Sequence, residues 1–199
     1  MACNLGKFKN TNLELNSEGI YVAKEQPAIS YPEDGNSNCF SVEDDSFWFQ
    51  HRNEVLGALI TRYSSNKTFF DIGGGNGCVS KALQSKGIDA VQVEPGPQGA
   101  INARRRGVST VIQATLEMAG FHPNSLSAVG VFDVVEHIEN DERFIKSLYE
   151  YLMPDGYLYV TVPAFHFLWS NDDIQAGHFR RYTNQSLTKL LEQNGFRVV

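Results

Sequence analysis

The chain has 199 residues, 42% of them hydrophobic, and a formal net charge of −6 at pH 7. That length and apolar share suit one domain with a full core rather than two, and the acidic balance disfavours nucleic acid as a partner, because neutralising phosphates needs a basic surface. No apolar run approaches the roughly 20 residues that span a bilayer, MACNLGKFKN lacks the apolar segment of a secretory signal, and Cys3, Cys39 and Cys78 have no metal-ligand spacing, so the expected setting is cytoplasmic with reduced thiols.

Residues 1–45 are turn-rich and read as an irregular leader, with a possible hairpin of Leu13–Leu15 and Gly19–Val22 around NSEG. A helix is expected from about Asp44 to Tyr63, opened by acids and Ser46. From there strands and helices alternate. KTFFDI (67–72) reads as a buried strand, 77–86 as a helix, IDAVQVEP (88–95) as a strand, and 97–106 as a helix stopped by Gly107. The run Arg104-Arg105-Arg106 suits the last turn of that helix, where cations complement the dipole. VSTVIQ (108–113) and LSAVGVFDVV (126–135) are strands, and 140–152 is a helix stopped by PDG. YLYVTVP (157–163) is a strand, 183–195 a capped helix, and residues 196–199 read as the start of another strand. This alternation predicts an α/β, doubly wound, mostly parallel sheet of the Rossmann type over residues 46–199. In such a sheet, ligands sit beyond the carboxyl ends of the strands, in the loops after Ile72, Val93, Ile112, Val135 and Val162.

The first of these loops carries FFDIGGGNGC (69–78). A P-loop needs G-x-x-x-x-G-K-[ST], but the sixth residue from Gly73 is Cys78 and no Lys-Ser/Thr pair follows. A dinucleotide fingerprint, G-x-G-x-x-G, meets the same cysteine at its third glycine. What remains is D-x-G-x-G-x-G, formed by Asp71, Gly73, Gly75 and Gly77. An acid before the first glycine repels a pyrophosphate and suits a ligand with a cationic group. Glu94, 17 residues past Gly77, ends the next strand, where a carboxylate can accept from both hydroxyls of a ribose.

On these two motifs, FFDIGGGNG and VQVEP, the sequence resembles the class I S-adenosylmethionine-dependent methyltransferases. The resemblance continues in the Glu136-His137 pair, in Leu152, Pro154 and Gly156, in Val162-Pro163 and in HFRRYT (178–183). These are similar to the subgroup that includes ubiquinone and menaquinone methyltransferases, over roughly residues 47–199. It implies S-adenosyl-L-methionine as methyl donor and S-adenosyl-L-homocysteine as product. It also implies that Gly73, Gly74, Gly75, Asn76 and Gly77 line the donor, that Asp71 holds its amino end, and that Glu94, beside Pro95, binds the ribose. Gln113, Thr115 or Leu116 would frame the adenine, where the family often has an Asp. Phe132 or Val131 would offer a backbone carbonyl to its amino group, while Phe49 and Arg52, before the first strand, would close over the donor, Arg52 on its carboxylate.

Methyl transfer from a sulfonium needs proximity and orientation, plus a base where the acceptor is a hydroxyl or amine. His137 and His178 are the candidate bases. Asp133, Glu136 and His137 form D-x-x-E-H, which in the quinone subgroup resembles a divalent-metal site; no metal ligand is assigned here. Trp169, Arg181 and Tyr182 are candidate acceptor contacts, with Arg181 suited to clamp an anion or, alternatively, to pair with Asp172 or Asp173 and fix the loop. The expected acceptor is a small molecule. A nicotinamide oxidoreductase and a donor-binding protein without activity remain alternatives. Because this fold usually closes with two more strands after the last helix, either truncation or completion of an edge by the leader strands is expected, and truncation is favoured.

Overall fold

The computed structural model describes residues 12–25, 40–64 and 66–199. YPEDGNSN, Cys3 and Cys39, with much of the expected leader, lie outside these residues. NSEG closes a hairpin in which β1 (Leu13–Leu15) pairs antiparallel with β2 (Tyr21–Ala23). Asn16 makes the turn, its side-chain oxygen accepting from the N–H groups of Glu18 at 3.0 Å and Ile20 at 2.9 Å.

The remaining elements follow in chain order: α1 (Phe47–Ser64), β3 (Phe69–Ile72), α2 (Cys78–Ser85), β4 (Ala90–Val93), α3 (Pro97–Arg106), β5 (Val111–Gln113) and β6 (Leu126–Phe132). After them come α4 (Asp141–Tyr151), β7 (Leu152–Thr161), α5 (Asn171–Ala176) and α6 (Asn184–Gln193), with single 3-10 turns at Val135–His137 and His166–Leu168. One sheet of seven strands runs β1-β2-β5-β4-β3-β6-β7, parallel throughout except for β1 against β2. This is the expected Rossmann-like fold. Strands β3, β4 and β5 are buried at every residue, which is why they read as continuous apolar runs and not as alternation. Phe70, Val91, Ile112 and Val129 build the core on one face of the sheet with Ile145 and Leu148 of α4. Phe69, Ala90 and Ala128 build the other with Leu56 and Ile60 of α1 and Leu83 of α2. No helix among the described residues is long and apolar enough to cross a membrane.

The chain winds outward from β3 to β4 and β5, then returns to place β6 and β7 on the other side of β3. Strand order reverses between β3 and β6, so the loops after these two strands part and leave a crevice. The glycine loop fills one side of it. Gly73, Gly75 and Gly77 all have positive φ (73°, 51° and 80°), which explains glycine at every second position. Gly77 serves packing: a Cβ there would stand 2.8 Å from the Ala103 side chain of α3.

Three parts of the sequence reading are corrected. Residues 196–199 form no strand; Phe196 instead packs edge-on against Tyr149 of α4, with ring centroids 5.3 Å apart. The leader hairpin extends the sheet at the β5 edge, away from β7. PDG does not separate α4 from β7: the strand begins at Leu152 and carries Pro154, Asp155 and Gly156 across a register shift between Leu126 and Ala128 of β6. Arg106 also does more than complement a dipole. It donates to Glu43 at 2.7 Å and to the Asn76 carbonyl at 2.8 Å, tying the helical turn at 40–43 to the glycine loop.

Candidate active site

A cavity of about 630 Å3 opens at the carboxyl ends of β3, β4, β6 and β7. Its walls come from the glycine loop, from Glu94 and Pro95 after β4, from residues 132–138 after β6 and from residues 162–164 after β7. Trp48, Phe49 and Arg52 of α1 close one side, and Ala176 and His178 the other. A second cavity of about 710 Å3 lies at the amino end of β7, against α6 and residues 195–199. It has no histidine, glutamate or cysteine in its lining; its ionisable groups are Tyr149, Asp155, Tyr157 and Arg197.

The half formed by β3, β4 and α1 is a cradle. Glu94 is 6% exposed, and its two carboxylate oxygens accept from the backbone N–H groups of Gly75 at 2.8 Å and Gly96 at 2.7 Å. Burial pushes its pKa up to about 7 against these bonds, which favour the charged form. Asp71 is buried; one oxygen accepts from the Ser80 hydroxyl at 2.7 Å, while Oδ1 has no hydrogen-bond partner. Burial raises its pKa to about 6. A buried carboxylate oxygen without a donor is costly, and Asp71 is part of the cavity lining. The glycines leave no room for side chains. A Cβ at Gly73 would meet Val134 at 2.7 Å, and one at Gly74 would meet Gln92 at 2.7 Å. Arg52 pairs with Asp133, and its guanidinium lies 4.8 Å from the Trp48 ring centroid and 5.1 Å from that of Phe49. Its Nε has no hydrogen-bond partner. Asn76 and Phe132 also line the cavity.

The half formed by β6, β7 and α5 carries the histidines. The loop that holds His178 is tied to the turn after β6 by the Phe179 N–H, which donates to the Glu136 carbonyl at 2.8 Å. His137 and His178 meet edge to face with centroids 4.6 Å apart. They differ as bases. Burial, together with the nearby His178, holds the His137 pKa down at about 4, and its ring is hydrogen-bonded to the Ala176 backbone. His178 Nδ1 instead lies 2.8 Å from Asp173 Oδ1. Asp173 is 1% exposed and also accepts two bonds from Arg181, at 2.7 and 2.8 Å, and one from the Ser170 N–H at 2.8 Å. The Arg181 bonds hold its carboxyl well below the ordinary carboxylate range. A fixed carboxylate on Nδ1–H leaves the second ring nitrogen of His178 as an acceptor. Glu136 is 1% exposed and neither carboxylate oxygen has a hydrogen-bond partner; burial raises its pKa to about 8. Glu136, His137 and His178 each bring one potential ligand atom within 4.8 Å of the others.

Seven of the expected site residues are placed elsewhere. Arg181 pairs with Asp173, the alternative offered for it above, and stands outside the cavity lining. Tyr182 is 5% exposed and donates to Asp141 at 2.8 Å, which also holds Arg180 at 2.6 Å. Trp169 packs on His166, with centroids 5.5 Å apart, outside the cavity lining. Gln113 is covered because Val22 of β2 pairs beside it, and Leu116 is buried in the core with Ala114 and Ala119. The Thr115 hydroxyl accepts from the Met118 N–H at 3.4 Å. With Gly77 packed on α3, none of these lines the cavity. The D-x-x-E-H set is not assembled as such either, since Asp133 is held by Arg52 and by the Thr161 hydroxyl at 3.0 Å. Glu43 was not singled out in the sequence, and Asp173 was offered there only as a partner for an arginine, not as the acid behind His178. Glu43 has no signal there, whereas Asp173 follows Ser170 at capping-box spacing and sits five residues before His178.

Comparison with known proteins bears on the family and the fold. The family model described as a methyltransferase domain matches residues 48–199. The ubiquinone biosynthesis O-methyltransferase of Photobacterium profundum is 23% identical over 101 residues, 48% of this chain and only 43% of that protein. A Thermotoga maritima protein described as a possible histamine N-methyltransferase superposes with a TM-score of 0.64 at 22% identity, over 83% of this chain and 77% of that one. The phosphoethanolamine N-methyltransferase 2 of Haemonchus contortus, solved with S-adenosyl-L-methionine, gives 0.59 at 18% identity, over 73% of this chain and 36% of that one. By its family match and its fold, the chain belongs to the S-adenosylmethionine-dependent class I methyltransferases.

Proposed function

We propose that the chain moves the methyl group of S-adenosyl-L-methionine to an O–H or N–H group of a small molecule, with His178 taking the acceptor's proton. The observation that carries this reading is the Asp173–His178 bond at the wall of the cavity shared with the glycine loop. When bound, the donor supplies an electrophilic methyl whose thioether leaving group needs no proton. Asp71, Gly73, Gly74, Gly75, Glu94 and Arg52 would hold it, with the unpartnered Asp71 Oδ1 toward its amino group. The chain's remaining task is to orient the acceptor and remove its proton. Near neutral pH His137 is uncharged and weakly basic, so His178, with an ionised carboxylate behind it, is the better proton acceptor. Asp173 stabilises the imidazolium as it forms.

The test is thermal. At about 100 times its dissociation constant, S-adenosyl-L-homocysteine contributes about 2.7 kcal/mol. That corresponds to a rise in melting temperature of roughly 5–10 °C for a domain of this size. NAD at the same concentration should leave the midpoint unchanged. A shift with NAD and none with S-adenosyl-L-homocysteine would restore the oxidoreductase reading.

A further inference from the structure

We propose that the acceptor is an amine, and that its ammonium group is bound by the Glu136 carboxylate and the second ring nitrogen of His178. The inference rests on the methyl-transfer reading and goes beyond it by naming the acceptor's chemical class.

Glu136 is the first reason. It lies in the cavity lining at 1% exposure, and its carboxylate oxygens have no donor from any other residue. A buried acid left so is a destabilising feature unless something brought to the site completes it. The two oxygens ask for more than one hydrogen. An alcohol or phenol brings one, and a primary ammonium brings three.

Spacing is the second. One carboxylate oxygen of Glu136 and one ring nitrogen each of His178 and His137 lie within 4.8 Å of one another. The hydrogens of an ammonium point to tetrahedral corners, so with charge-assisted bonds of about 2.8 Å they reach acceptors about 4.6 Å apart. That reach is compatible with the 4.8 Å limit of the cluster.

Charge is the third. Each arginine near the cavity is already committed: Arg52 to Asp133, Arg181 to Asp173, and Arg180 to Asp141. An anionic acceptor would meet Asp71, Glu94 and Glu136 with no unpaired cation among the described residues of the lining. An ammonium meets a field of the right sign. Burial and the nearby Asp133 and Asp173 raise the Glu136 pKa, and a cation at its oxygens is the partner that returns it to carboxylate.

The step balances. The bound R–NH3+ gives one proton to His178, which becomes imidazolium over Asp173. The freed nitrogen lone pair forms the N–C bond as the sulfonium C–S bond breaks, its electron pair staying on sulfur. The product is a methylated ammonium that keeps the other two hydrogens and remains paired with Glu136.

The experiment uses the full chain saturated with S-adenosyl-L-homocysteine and three probes that share a phenyl ring: phenethylamine, 2-phenylethanol and phenylacetate. Binding is followed by NMR titration in the wild type and in Glu136→Gln and Glu136→Asp. The wild type should bind phenethylamine at least roughly tenfold more tightly than 2-phenylethanol, as a charge-assisted contact implies, and phenylacetate should not bind. Glu136→Gln should lower the amine to the alcohol's level, Glu136→Asp should fall between, and S-adenosyl-L-homocysteine affinity should hold in both. Equal wild-type affinity for amine and alcohol overturns the proposal whatever the variants do. So does an amine preference that survives Glu136→Gln. Saturable Mn2+ binding that Glu136→Gln abolishes, with no amine preference, assigns the cluster to a metal ion instead. Loss of S-adenosyl-L-homocysteine binding in the wild type would sink the methyl-transfer reading itself; retained binding without amine preference sinks only the acceptor assignment.

Discussion

Glu94→Gln is expected to weaken S-adenosyl-L-homocysteine binding by about 10- to 100-fold, the range set by losing a hydrogen bond to a charged group. Glu94 has two roles in the fold. Its oxygens anchor the N–H groups of Gly75 and Gly96, and their remaining lone pairs face the cavity. Glutamine keeps the volume but turns one acceptor into a donor, so one of those N–H groups faces an NH2. The glycine loop then loses its anchor at the point where it must lie flat against the ligand. The wild type should also bind more tightly as pH rises through about 7, because burial holds the Glu94 pKa there and ribose hydroxyls donate best to the ionised form. Calorimetry across pH 6 to 8 checks both. The variant's profile should lose that component, and an affinity equal to the wild type's would remove Glu94 from the donor site.

Asp173→Asn is expected to cost about 10²- to 10⁴-fold in kcat, the usual worth of a well-held general base. Asparagine is nearly the same size, yet it no longer fixes the tautomer of His178 or stabilises its charged form. It also breaks the bidentate Arg181 pair, which has a stability consequence of known sign. The folded pKa of Asp173 is held below its unfolded value, so its contribution is present above the ordinary carboxylate range and is lost as pH falls through the folded value. The variant should therefore melt lower at neutral pH, and a positioning role must be separated from that loss. At a temperature where S-adenosyl-L-homocysteine still binds the variant, methyl transfer to whichever acceptor the wild type turns over should show lower kcat, little change in KM for the donor, and a displaced basic limb in the pH profile. A loss of binding in step with kcat would make Asp173 purely structural.

Much of this was legible in the residues. The buried strands FFDI and AVQV announce themselves as unbroken apolar runs, and alternating glycines announce a backbone that needs positive φ at every second position. Asp71 and Glu94 could be placed because the strands before them fix where their loops emerge. The acceptor side was harder, because its residues are brought together by tertiary contacts. HFRRY reads as a cluster of possible ligands, yet the structure spends Arg180, Arg181 and Tyr182 on Asp141 and Asp173 and leaves only His178 of that set at the cavity. The pairing of Arg181 with Asp173 stood among the alternatives in the sequence, whereas that of Arg180 and Tyr182 with Asp141 is set by packing against α4, whose Asp141 stands 41 residues before Tyr182, and not by local sequence. Gln113 stands outside the cavity lining for a similar reason, since the hairpin that covers it arrives from residues 13–23.

The central claim is that the cavity between the glycine loop and His178 holds the methyl donor. A crystal structure with S-adenosyl-L-homocysteine tests it most directly. The expected result is the ligand in that cavity, its amino group against Asp71, its ribose hydroxyls within hydrogen-bond reach of Glu94, and its sulfur facing Glu136 and His178. A ligand seated at the amino end of β7, or lying in the expected cavity with its sulfur turned away from His178, would contradict it.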